Sequence, residues 1–81
     1  MKDINEYVIG DEEFDLICKC TKIRYESNIS QRELASKIGI AQSTIARMEK
    51  NMHSMSISNF TKLLDALGYK LEIVKKEKSN E

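Results

Sequence analysis

Apolar and polar positions along this chain follow a helical period from Asp11 to Leu67, and the period then changes once. Between Asp11 and Glu26, Leu16, Cys20 and Ile23 fall on one stripe, with Phe14, Ile17 and Thr21 on an adjoining one. That is a wider apolar surface than one buried face requires. Asp11 is placed to cap this helix, Glu12 and Glu13 put negative charge in its first turn, and Asn28 closes it. Ser30 followed by Glu33 is a capping box, with Ile29 as the outer member of a hydrophobic staple. Leu34, Ala35 and Ile38 give the second helix its apolar face, and Gly39 ends it. After Ile40 and Ala41 a third helix turns Ile45 and Met48 inward and stops near Asn51. Ser56 caps a fourth, in which Phe60, Leu63, Leu64 and Leu67 keep helical spacing up to Gly68.

From Tyr69 to Lys75 apolar and polar residues alternate, which predicts a strand. A single strand leaves its backbone N–H and C=O groups unpaired, so it needs a partner. The amino-terminal residues Tyr7 to Ile9 are one candidate; the same strand of a second copy, antiparallel across a two-fold axis, is the favoured one. The chain thus divides into an amino-terminal segment (1–10) with a partner-binding option, a helical domain (11–68), a dimerisation strand (69–75) and a solvated tail (76–81). Ile4, Tyr7, Val8 and Ile9 in the first of these either tuck against the first helix or meet a partner, as do Phe14 and Ile17.

Composition narrows the function. With 81 residues the chain is one small domain, whose core supplies only a few kcal/mol of net stability. No apolar run approaches the roughly 18 residues that span a bilayer, and no signal-peptide pattern opens the chain, so a cytoplasmic protein is expected. The net charge is zero, but its distribution is uneven. Residues 1–29 hold 4 basic and 7 acidic side chains, residues 30–53 hold 4 basic and 2 acidic, and residues 54–81 hold 5 basic and 4 acidic. The positive balance falls on the segment from Ser30 to His53. Cys18 and Cys20 diverge on a helix and cannot form an ordinary disulfide; as metal ligands they lack two partners, since the single histidine, His53, is distant in sequence. No glycine-rich phosphate loop, cysteine–histidine pair or carboxylate pair marks an enzyme, and no cofactor or metal is expected.

The third helix begins instead with a polar cluster. Gln42, Ser43, Thr44 and Arg47 carry hydrogen-bonding groups of the kind that read base edges in a DNA groove. Around them several unlike requirements coincide: Gln31 opens one helix, Ala35 allows a close helix crossing, Gly39 makes the turn, Gln42 opens the next helix, Ile45 anchors it and Glu49 closes it. In these residues the stretch from Leu16 to Leu67 resembles the Cro/repressor-type helix-turn-helix regulators, the XRE family.

The resemblance implies an all-α, lambda-repressor-like bundle of four to five helices, with one carboxy-terminal strand used for dimerisation through Tyr69, Leu71 and Ile73. It implies that Gln31 bonds a DNA phosphate, that Gln42, Ser43, Thr44 and Arg47 face the groove, and that Lys50, Asn51 and His53 touch the backbone just beyond. It also implies a structural ion pair between Arg24 and Glu49. Ala41 departs from the family's usual serine or threonine, which forfeits about 0.5–2 kcal/mol of helix stability. The ending LDALGYKLEIV is similar to antitoxins of bacterial toxin–antitoxin modules, which repress their own operon and neutralise a toxin encoded beside them. Expected partners are therefore a palindromic double-stranded operator, a second copy of the chain and a cognate toxin, in a bacterial cytoplasm at the nucleoid. A regulator without a toxin partner and a protein-interaction adaptor that binds no DNA are the alternatives.

Overall fold

A computed structural model describes residues 10–77. It holds four helices: α1 (Asp11–Glu26), α2 (Gln31–Ile38), α3 (Gln42–Glu49) and α4 (Ile57–Leu67). Helices α2 and α3 pack on each other across the tight turn, α2 also packs on α4, and α1 lies against α3 and α4. The centre is filled by Ile17, Cys20, Leu34, Ala35, Ile45, Met48, Leu63, Leu64 and Leu67. Helices α2 and α3 have eight residues each, too short to persist alone in water, so this shared burial is what holds them.

Local signals explain most of the boundaries. The Ser30 hydroxyl accepts from the Glu33 backbone N–H at 3.0 Å, and the Glu33 carboxylate accepts from the Ser30 N–H at 3.3 Å, which completes the capping box. Gly39, at φ 74°, closes α2, and the Ile40 N–H returns to the Ala35 carbonyl at 3.0 Å. Ser56 caps α4 through the Asn59 N–H, and Gly68, at φ 92°, ends it. Asn28 and Asn51 take the same left-handed role after α1 and α3, with φ of 58° and 61°.

Three expectations are corrected. Helix α1 starts at Asp11 itself, with Gly10 at the cap position and no side-chain cap bond, so Asp11 joins Glu12 and Glu13 as first-turn negative charge. Its buried line runs through Ile17, Cys20 and Arg24, between the two apolar stripes, leaving Leu16 40 % and Phe14 47 % exposed. An arginine can take that core position because its charge is matched there.

The strand expected over Tyr69 to Lys75 is absent as well: no strand forms among the described residues, and 69–77 is neither helix nor strand. The physical reason is the one that made a partner necessary. Ladder hydrogen bonds need a second strand, and the described part of a single chain offers none. Tyr7 to Ile9, the intrachain candidate, and the rest of the amino-terminal segment up to Ile9 lie outside the described residues, as does the end of the tail from Lys78.

Candidate nucleic-acid interface

Helix α3 owes its outer face to simple spacing. Ile45 and Met48 are held at 0 % and 1 % exposure, so the opposite side of the helix must look outward. Ser43, Arg47 and Lys50, spaced four and three residues apart, form that exposed row. Half-buried Ala46 lies beside it, and exposed Gln42 flanks it on the side nearer α2, in line with Glu49.

The remaining suggested contacts sit deeper. Thr44 is half-buried beside the Met48 side of the helix, with its backbone N–H closing the first turn onto the Ala41 carbonyl at 3.0 Å. Asn51 is half-buried, and its Oδ1 is enclosed without a hydrogen-bond partner among the described residues. Its backbone places it at the helix end: the Asn51 N–H reaches the Met48 carbonyl and the Met52 N–H reaches the Arg47 carbonyl, both at 2.9 Å. His53 is half-buried in the loop that leads to α4. Tyr69, Leu71 and Ile73, by contrast, are exposed at 54 %, 42 % and 100 %. Structure therefore brings Ser43, Arg47 and Lys50 into one outward row and leaves Thr44, Asn51 and His53 partly enclosed.

Behind that exposed row lies a buried charged cluster. Arg24 Nε donates to Glu49 Oε2 at 2.6 Å and Arg24 Nη2 donates to Glu49 Oε1 at 2.9 Å, a two-pronged pair between α1 and the last residue of α3. Arg24 Nη1 donates to the Ile29 carbonyl at 2.8 Å, and the Tyr25 ring covers the guanidinium with its centroid 4.4 Å away. The hydrogen bonds that Arg24 donates to Glu49 raise its pKa above the ordinary value, against the opposing effect of burial. Gln31, half-buried at the start of α2, points its amide at the same carboxylate, with Nε2 2.9 Å from Glu49 Oε1. The nearby Cys20 thiol is pushed up to about 11, first by burial and then by the charge on Glu49, so it stays protonated at neutral pH. Cys18 is exposed, and the two sulfurs do not bond to each other.

The helix-turn-helix family model matches residues 22–74, well over half of the chain. The chain belongs to the helix-turn-helix family. Among similar proteins, antitoxin HipB of Escherichia coli O6:H1 (strain CFT073) is 42 % identical over 45 residues, covering 56 % of this chain and 48 % of the relative. This chain thus spans about half the length of the curated relatives it matches. Its fold superposes on a solved HipA-HipB-O2-O3 complex with a TM-score of 0.73 and 29 % identity, covering 80 % of this chain and 92 % of that one. A toxin-antitoxin module from Streptococcus pneumoniae matches with a TM-score of 0.69 and 30 % identity, over 95 % of this chain and 85 % of that one.

Within this helix-turn-helix, sequence reasoning passes over Arg32, which is exposed at the second position of α2. The available signal is electrostatic. A cation in the first turn of a helix runs against the helix dipole, a small cost that an external anion would offset. The weak point of the motif is the entry to α3, where Ala41 has extended backbone (φ −73°, ψ 143°) and makes no side-chain cap bond. Serine adopts the same backbone and supplies the missing acceptor for the first-turn N–H groups. Ala41→Ser is therefore expected to raise stability by about 0.5–2 kcal/mol in urea unfolding. An unchanged midpoint would show that the cap position is already satisfied by solvent.

Proposed function

We propose that this chain is a sequence-specific DNA-binding transcriptional repressor, and that it serves as an antitoxin which regulates its own operon and neutralises a cognate toxin. The observation that carries the DNA part is the exposed row Ser43, Arg47 and Lys50 on a helix anchored from behind by Ile45, Met48 and Glu49. A rigid helix with a polar outer row is the element that enters a major groove. Gln42 is suited to a bidentate contact with adenine and Arg47 to one with guanine, with Ser43 and Thr44 adding hydroxyl contacts and Ala46 a small apolar surface for a thymine methyl. The start of α2, with Gln31, Arg32 and unbonded N–H groups of the first turn, faces the phosphates; Lys50, Asn51 and His53 do so on the other side of α3.

The toxin part rests on the relatives, one of them an antitoxin and one solved as a toxin-antitoxin module. Two copies join through Tyr69, Leu71 and Ile73 in the segment 69–75, which leaves four large apolar side chains exposed in a single chain, Val74 being the fourth. Pairing these segments antiparallel satisfies their backbones and sets two copies of α3 about one DNA turn apart on a palindromic operator. Residues 11–68 serve the DNA, and residues 1–10 offer either a segment that tucks against α1 or one that meets a partner. The protein acts without a cofactor and without catalysis, in the bacterial cytoplasm at the nucleoid.

The test is duplex binding as a function of salt. The logarithm of affinity should fall linearly with the logarithm of salt concentration, with a slope of about −0.9 per phosphate neutralised. Arg47→Ala should cost about 1–3 kcal/mol on the preferred duplex and relax the preference at a single base-pair position in each half-site. A flat salt response, or no duplex binding at low salt, rejects the reading in favour of an adaptor.

A further inference from the structure

Glu49 receives hydrogen bonds from two different helices at one buried point. Arg24 of α1 supplies two, and Gln31, the first residue of α2, supplies the third at 2.9 Å. The Glu49 side chain is 7 % exposed, so little water competes for it. At the other end of α3, Ala41 contributes no cap bond. The direction of α3 is thus held from its carboxy-terminal end, and Gln31 is the α2 side chain that reaches it. A primary amide nitrogen carries two hydrogens. One is spent on Glu49, and among the described residues Gln31 makes no other side-chain hydrogen bond.

We propose that Gln31 is a positioning residue: by holding Glu49 it sets the angle at which α3 presents Gln42, Ser43 and Arg47, so that base discrimination depends on a side chain that touches no base. This inference rests on the DNA-binding reading above and changes the role of Gln31 within it. A residue whose sole contribution is a phosphate contact alters affinity for every sequence by the same factor. A residue that sets the angle of the reading helix alters the ratio between sequences. Loss of stability alone does not change that ratio while the chain remains folded.

The experiment uses the full chain and two duplexes of about 20 base pairs, long enough for two half-sites. One is selected from a random pool by the unaltered chain; the other is its scrambled counterpart of equal composition. Gln31→Ala should lower the affinity ratio between them by about fivefold to tenfold, somewhat less than the full net worth of one hydrogen bond to a charged group. Gln31→Glu should lower it at least as far, since its carboxylate then faces that of Glu49. Gln31→Lys, whose ammonium still donates to Glu49, should restore most of the ratio. Equal weakening on both duplexes, or an unchanged ratio in Gln31→Ala, overturns the proposal and leaves a phosphate contact or no role. A ratio that Gln31→Lys does not restore overturns the route through Glu49. If the unaltered chain enriches no duplex at low salt, the DNA-binding reading itself fails before any substitution is made, and this inference falls with it.

Discussion

Glu49→Ala should lower the stability of the chain by about 3–5 kcal/mol and leave much of it unfolded at room temperature. The size follows from what the substitution strands. Arg24 is 5 % exposed, in a line otherwise occupied by Ile17 and Cys20. Its guanidinium stays charged at any usable pH, because Glu49 raises a pKa that is already very high. Removing the carboxylate leaves that charge without its counter-ion, and removes the acceptor of the Gln31 amide as well. A domain of 81 residues has only a few kcal/mol to lose. Urea unfolding followed by circular dichroism gives the number. The double variant Arg24→Leu/Glu49→Met separates two explanations, since replacing both charges by apolar groups of similar volume is often near neutral. It should recover most of the stability lost in Glu49→Ala. If it is as unstable as the single variant, the cost lies in packing rather than in the uncompensated charge.

If two copies join through the segment 69–75 as proposed, truncation after Gly68 should convert a dimer into a monomer and weaken binding to a two-half-site duplex by about 10²–10⁴-fold. The helical domain should survive this cut. Among the described residues every core member lies at or before Leu67, and the removed segment contributes one backbone bond, from the Tyr69 N–H to the Leu64 carbonyl at 2.8 Å. On the proposed reading, what is lost is the tether that makes the second half-site contact intramolecular. Affinity for a duplex with a single half-site should therefore change little. Sedimentation at micromolar concentration together with the two binding curves decides the matter. A truncated chain that still sediments as a dimer refutes the role given to Tyr69, Leu71 and Ile73.

The parts of the molecule legible in its sequence are those whose causes are local. Ser30 and Glu33 cap α2 because their side chains reach backbone groups three residues away, and Gly39 and Gly68 end helices because a left-handed residue is needed there. The spacing of Leu63, Leu64 and Leu67 gave the buried face of α4 for the same reason. In α1, where two apolar stripes adjoin, spacing could not choose between them. Packing against α3 and α4 selected the line through Ile17, Cys20 and Arg24, and left Leu16 largely outside. The same limit applies to the outer face of α3. Residue types place Gln42 to Arg47 on a polar helix start, but the depth of Thr44, Asn51 and His53 depends on what lies across from them.

Read alone, the order of residues thus settles most helix boundaries and the short segment that holds the polar start of α3, because caps, turns and periodicity act over three or four positions. The contacts of Glu49 belong to another scale. Arg24 lies 25 residues away and Gln31 lies 18 away, and no periodicity links them. Family resemblance suggested the first partner; the second came from folding. Three helices must close around one core before a carboxylate, a guanidinium and an amide meet at hydrogen-bonding distance. Their meeting turns a polar helix face into a directed one.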